Sequence, residues 1–336
     1  MQQSQNEKAL FRSRWVKCIA IAFGIILIIL LFFGGPGDTH PQRSIKLMWD
    51  LGHIVLYFML TAVILNSLPR GMAFHTLVAA MAGFALVSGI LIEAIQHEIH
   101  RTASMGDVLR DLWGTGLALF FTNPGLKNTS VFPIRIVKVG LVFITLAIGT
   151  PWLVALYDEY RSRVDFPVLA DFEHASEITR WQGGRIERSR DYSIHGEYSL
   201  KVTFNKSEYS GVEFRYPARN WSEYRLLQFG IYNPDAKAYR LSIRIHDLNH
   251  ENSKQDYQDR YNHKFSIQSG WNTVSIPLMD VAQAPEGRKL DLSEIASLIL
   301  FLTNVKISEI LYFDYFRLAS TAIETDEKGT SDFGFA

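Results

Sequence analysis

Two periodicities divide this chain. As far as residue 156 the pattern is of long apolar runs, at 16–33, 47–68, 75–95, 108–122 and 134–156, separated by short polar stretches. A helix needs about 20 apolar residues to cross the hydrocarbon core of a bilayer. The runs therefore predict about five membrane-spanning helices, the fourth short and opening on charged residues. From residue 168 apolar and polar residues alternate. YSLKVTF (198–204), YRLSIRIH (239–246), WNTVSIPL (271–278) and ILYFDYFRL (310–318) read as strands. Turn signals separate them: NPD at 233–235, LNHEN at 248–252, QSG at 268–270 and PEG at 285–287. Short strands at such spacing predict an all-β sandwich.

The predicted architecture is a transmembrane α-helical bundle over 1–157, a linker over 158–167, a β-sandwich over 168–319 and a polar, disordered tail over 320–336. The 336 residues suffice for two domains. The run at 16–33 follows Lys8, Arg12, Arg14 and Lys17 and is followed by GGPGD instead of a small-x-small cleavage site, so it reads as a retained anchor. Lys and Arg in the short connecting segments favour a cytoplasmic N-terminus, with the sandwich on the outer side of the membrane. That orientation depends on the fourth run crossing fully.

Composition narrows the partners. Lys plus Arg equals Asp plus Glu at 34 each, so no net positive charge supports a nucleic-acid partner. The single cysteine, Cys18, has no second cysteine in the chain to pair with.

Ionisable residues inside the apolar half carry the candidate chemistry. Asp50, His53 and Tyr57 share one helical face by their i, i+3, i+7 spacing. Glu93, Gln96, His97 and His100 form a stripe at the end of the third run. Asp107, Asp111 and Gly114 repeat the pattern at the start of the fourth. With the connecting Arg101 and Ser104, these residues are predicted to meet at one membrane level. Charges in a membrane are costly and usually paired. Two readings stay open: a functional site that handles protons or holds a lipid headgroup, or an interfacial lattice in which Arg101 and Arg110 neutralise the acids. No nucleophile motif, phosphate loop or HExxH is present.

This set resembles the VanZ-like family of bacterial membrane proteins over roughly residues 20–125. The marks are His53 and Tyr57 in DLGHIVLYFML, Glu93 and Gln96 in EAIQ, Arg101, Ser104 and Asp107 in RTASMGD, and Gly114 and Gly116 in DLWGTG. Asp111 departs from the family's usual Asn. The resemblance implies a cell-envelope role connected with glycopeptide resistance, and no defined reaction.

The second half resembles jelly-roll carbohydrate-binding modules of the galactose-binding-like type over about 168–319. The marks are DFE (171–173), DYSIHGEYSLKVTF (191–204), LLQFGIYNPD (226–235), GWNTVSIPL and YFDYFRL. The resemblance implies a structural calcium held by Glu173, Asp191 and Asp314. Sugars stack on aromatic rings and take polar partners for their hydroxyls. Tyr216, Trp221, Arg244, His246, Tyr261 and Trp271 are accordingly the candidate ligand residues. The expected function is a non-enzymatic envelope factor with membrane lipid and polysaccharide or peptidoglycan as partners. The alternatives are an enzyme acting on a lipid-linked precursor, and an assembly protein whose sandwich binds another protein. An aromatic cleft near Tyr261 and Trp271 would favour the glycan; a smooth, Arg-rich face would favour a protein.

Overall fold

A computed structural model describes residues 42–69, 72–98, 104–123, 126 and 132–320. The first predicted span, 16–33, and the predicted disorder of 321–336 lie outside the described residues. The chain divides into two units at Leu153/Val154.

Among the described residues of the first part are four long helices: α1 (Arg43–Ser67), α2 (Phe74–Glu98), α3 (Met105–Thr122) and α4 (Phe132–Val164). Helix α1 ends where Leu68 turns extended, as the residue before a proline is pushed to do. Asp107 stands in the first turn of α3, where a carboxylate complements the helix dipole. Three of the helices (Arg43–Ser67, Phe74–Ile95, Phe132–Val164) are long and apolar enough to cross a membrane. Val87 and Leu91 on α2 and Phe143 and Leu146 on α4 are exposed, an arrangement suited to lipid. Helix α3, with Asp107, Arg110 and Asp111 in 18 residues, is not among the three.

Helices α1 and α3 touch backbone to backbone. A Cβ at Gly114 would lie 2.3 Å from the Ile54 carbonyl oxygen, so only glycine fits there. Along the same seam Thr61 donates to Thr115 at 3.3 Å, and Ala118 is fully buried. Small residues at a close helix crossing are what membrane helices use in place of a hydrophobic driving force.

The segment expected as a linker is helical to Val164. Its run DEYRSR contains no glycine or proline, and Arg161 pairs with Asp165 one turn on at 2.8 Å. Asp158 is buried against the sandwich: its Oδ2 lies 3.2 Å from Arg180 Nε, within ion-pair distance though not aligned for a hydrogen bond.

Eleven strands follow: β1 (Val168–Ala170), β2 (Trp181–Gln182), β3 (Arg185–Ser189), β4 (Ser199–Phe204), β5 (Ser207–Phe214), β6 (Leu226–Asn233), β7 (Tyr239–Asp247), β8 (Tyr261–Ile267), β9 (Gly270–Pro277), β10 (Ile295–Val305) and β11 (Glu309–Ala319). A short helix α5 (Leu248–Glu251) follows β7, and α6 (Leu278–Gln283) follows β9. The six-stranded sheet runs β3-β4-β11-β6-β9 with β1 added against β11; the five-stranded sheet runs β2-β5-β10-β7-β8. All pairs are antiparallel, and from β4 to β11 the chain passes repeatedly from one sheet to the other. The alternation predicted the sandwich; this winding between sheets is of the jelly-roll type that the resemblance implied.

The alternate residues meet between the sheets. Leu200, Val202 and Phe204 on β4, Leu241, Ile243 and Ile245 on β7, and Leu298, Leu300 and Leu302 on β10 form the core. Strand β11 breaks the simple rule. Leu311 and Phe313 point inward, and then Phe316 and Leu318 do, so the phase slips by one residue. The register shift between Asp314 and Arg317 and the positive φ of Tyr315 (53°) mark the bulge responsible.

Candidate functional site

The polar face of α1 meets α3 in the helical unit. His53 is nearly fully buried, with Nδ1 3.0 Å from Asp111 Oδ1 and Nε2 3.9 Å from Asp107 Oδ2. The imidazole thus lies between two carboxylates four residues apart on one helix. Arg110 hydrogen-bonds Asp107 and reaches back to Asp50 at 3.2 Å. A side chain at Gly89 of α2 would collide with Asp111 Oδ2, at 2.9 Å, so the glycine leaves space for this carboxylate. Tyr57 pairs with Ser88 at 2.9 Å, a partner the sequence pattern did not single out. Buried Glu93 accepts from the Ser104 backbone N–H at 2.6 Å and so holds the start of α3. Six of the eight expected residues are thus placed around α1–α3. The Gln96 side chain and Arg101 lie outside the described residues.

The sandwich offers a second, separate set. The outward positions of the five-stranded sheet fall into register rows. Gln182, Glu213, Ile299, Arg244 and Asn262 lie side by side across all five strands. The next row along carries Gly211, Phe301, Ser242 and Lys264. Exposed Tyr209 approaches Phe301, with ring centroids 6.3 Å apart. A Cβ at Gly211 would be 2.5 Å from that of Phe301, so glycine keeps the surface beside this ring low. Polar groups stand beside the rings. Ser297 donates to Glu213 at 2.8 Å, and His246 Nε2 meets Glu251 at 2.7 Å. Arg244 Nη2 reaches His250 Nε2 at 3.2 Å. Two buried atoms on this face have no hydrogen-bond partner: Arg244 Nε and His246 Nδ1. An unmet buried polar group costs about 1–3 kcal/mol.

The expected ligand residues divide. Arg244 and His246 share this face as predicted, and Tyr216 is partly exposed just beyond β5. Trp221 does not face ligand. It is fully buried and its Nε1 donates to Ala218 O, because its large apolar ring closes the core. Tyr261 is likewise core, at the register position opposite Ile245. Trp271 is on the other sheet, packed edge-on against Tyr232 at 5.3 Å. Strands β8 and β9 adjoin in sequence but belong to different sheets, so Tyr261 and Trp271 do not share a sheet face. Exposed Tyr209 beside part-buried Phe301 is an aromatic pair on this face, which outward alternation in SEYSGVEF and LILFLTNV could have revealed.

The three carboxylates expected at calcium are engaged elsewhere and do not converge. Glu173 Oε1 accepts from the N–H groups of Glu197 and Tyr198, both at 2.8 Å, and Gly196 (φ 65°) passes so close that a Cβ would meet the carboxylate. Asp314 accepts from Ile194 and His195 at 2.7 and 3.0 Å and from Tyr315 at 2.7 Å. Asp191 meets the Tyr312 hydroxyl at 3.1 Å and Lys201 at 3.8 Å. Among the described residues no group of three or more His, Cys, Asp or Glu is gathered to hold a metal. Glu173 and Asp314 together fasten the loop 194–198 to the sandwich.

Burial pushes the carboxyl of Asp314 up to about 7 against the opposing pull of its N–H donors, and burial raises Glu177 to about 7 as well. A carboxyl whose native pKa lies above its unfolded one holds its proton more tightly when folded. The native state is therefore favoured on the acid side, and that advantage disappears as pH rises through about 7. The unfolding midpoint, followed by tryptophan fluorescence, should be lower at pH 8.5 than at pH 5.5 by about 5 °C or more. Asp314→Asn should flatten that slope; an unchanged slope would refute the assignment.

Comparison with known proteins bears on the sandwich. Residues 180–308 match the family profile described as Complex I intermediate-associated protein 30 (CIA30). The matched stretch is well under half the chain and marks a likeness of the sandwich alone. No curated protein matches the chain. A family 11 carbohydrate-binding module from Clostridium thermocellum, solved with a β-1,3-1,4-mixed-linked tetrasaccharide, is 20% identical; the likeness covers 46% of this chain and 95% of that one, with a TM-score of 0.36. An exo-β-agarase is 16% identical over 46% of this chain and 25% of that one, TM-score 0.37. The xylan-binding CBM22-1 domain of a Paenibacillus barcinonensis protein is 13% identical over 46% and 96%, TM-score 0.32. None of the three solved structures bears on what this sandwich binds.

Proposed function

We propose that this chain is a non-enzymatic, membrane-anchored factor of the bacterial cell envelope whose β-sandwich holds a polysaccharide across the outer face of its five-stranded sheet. The carrying observation is the pairing on one face of an aromatic surface, Tyr209 with Phe301, and buried polar atoms that lack partners, Arg244 Nε and His246 Nδ1. Sugar rings offer C–H faces for the first and hydroxyls for the second. The apolar helices support a membrane anchor, and the lysine and arginine pattern supports a sandwich outside the cell. The VanZ-like resemblance supports an envelope role for the helical unit, in which His53, Asp107 and Asp111 would engage a lipid headgroup or move a proton.

The full chain in nanodiscs should bind at least one member of a panel of peptidoglycan and soluble polysaccharides saturably. Phe301→Ala should weaken that binding about tenfold, the scale of one lost stacking contact. Absence of binding across the panel would refute the reading. A second reading follows from the CIA30 match, whose description names a protein associated with a Complex I intermediate. In it the same face takes a protein, and a specific partner crosslinked at position 301 would favour it.

A further inference from the structure

The charges on the five-stranded face are unevenly matched. Arg240, Arg244 and Lys264 stand on its outer rows, and Arg260 lies just before β8. Among the described residues none of these four has a carboxylate within ion-pair distance. The nearby acids are engaged. Asp247 is fully buried and takes Arg288 on both oxygens, at 2.6 and 2.9 Å, with the N–H groups of His250 and Asp291 in addition. Asp259 hydrogen-bonds Arg288 through both oxygens and meets His250 Nδ1 at 3.2 Å. Glu251 meets His246, and Glu213 accepts from Ser297.

This arrangement fixes the state of His250. Its Nδ1 faces the Asp259 carboxylate as donor, so its Nε2 carries the lone pair that accepts from Arg244. Burial, together with the neighbouring His246, holds the His250 ring below its ordinary pKa, which fits a neutral ring. Arg244 therefore leans on a neutral histidine instead of an anion. Burial first, and then the charge of Arg260, hold its guanidinium below the ordinary arginine value. A half-buried guanidinium beside a second one, with an unpartnered Nε–H, is a site short of one anion.

We infer that the polymer held on this face is an acidic polysaccharide, with Arg244 closing on a carboxylate of the sugar chain and Arg240, Lys264 and Arg260 flanking it. The inference rests on the sandwich binding a sugar polymer at all, and adds that the polymer must be anionic. Arg244 supplies directional hydrogen bonds to a planar carboxylate. The exposed flanking cations supply attraction that salt screens.

The test uses the full chain in phosphatidylcholine nanodiscs. Polygalacturonate and its fully methyl-esterified form share one backbone and differ in charge, and mixed-linked β-glucan is a neutral reference. The expected result is binding to polygalacturonate at least tenfold tighter than to the ester, weakening steeply from 50 to 300 mM salt. Arg244→Gln should reduce it about tenfold or more. Should that variant fold poorly, the exposed pair Arg240→Gln and Lys264→Gln should still lower affinity severalfold and flatten the salt dependence. Equal affinity for the ester or the β-glucan would overturn the anionic assignment and leave a glycan-binding sandwich. No binding to any polymer would overturn the glycan reading with it. Competition by phosphatidylglycerol vesicles as effective as that by soluble polygalacturonate would overturn the polysaccharide and point to lipid headgroups.

Discussion

Gly114→Ala should destabilise the helical unit by about 1–3 kcal/mol, and Gly114→Val by more, because any Cβ at this position collides with the Ile54 carbonyl 2.3 Å away and with backbone of Phe58 at 3.0 Å. The obstacle is main chain on the facing helix, so no rotamer change relieves it; α1 and α3 must move apart. Residue 54 adjoins His53, so separation also lengthens the 3.0 Å contact between His53 and Asp111. Gly116 supplies the control. It lies two residues on in the same helix with nothing within 4 Å of its would-be Cβ. Gly116→Ala should be neutral or stabilising, since alanine is the better helix former by about 1 kcal/mol. Thermal unfolding in detergent compares the two. Equal behaviour would refute the close α1–α3 contact.

Arg180→Met should lower the stability of the sandwich by about 3–5 kcal/mol. Arg180 is almost wholly buried between Asp158 and Glu177, and it also donates to the Leu169 carbonyl. Methionine fills much of the same volume but removes the guanidinium that lies between two buried carboxylates. Adding Glu177→Gln to Arg180→Met should recover part of the loss, because an uncompensated buried charge is the larger cost. Arg190→Ala removes an exposed pair with Glu197 and should cost under about 1 kcal/mol. Trp181, stacked on Phe214 at 4.5 Å in the core next to Arg180, reports unfolding by fluorescence. Equal effects of Arg180→Met and Arg190→Ala would show that burial of the Arg180 pair contributes nothing.

Period was the legible property of this sequence. Alternation placed Leu241, Ile243 and Ile245 in the core with Arg244 and His246 outside, and helical spacing put Asp50, His53 and Tyr57 on one face. Three things were hidden. A one-residue slip in β11 sends Phe316 inward, and no local pattern marks it. The assignment of β8 to one sheet and β9 to the other is a long-range choice, and it separates Tyr261 from Trp271. The roles of Glu173 and Asp314 depend on backbone N–H groups, which every residue carries and no sequence pattern displays. Aromatic identity alone also misled at Trp221, whose ring closes the core.

Strand β11 comes last in the sandwich yet lies between β4 and β6 at the middle of its sheet, and it receives β1 as well. During synthesis β3 and β4 emerge more than a hundred residues before the strand that joins them to β6, so half the sandwich has to wait, its apolar faces uncovered, for residues 309–319. A ribosome that stalls at residue 308, where the family likeness ends, would release a chain with all five strands of one sheet and with the other in pieces. Completion of the domain is thus coupled to synthesis of residues 309–319, and a product shortened before them is marked for the quality-control machinery by its own unpaired strands.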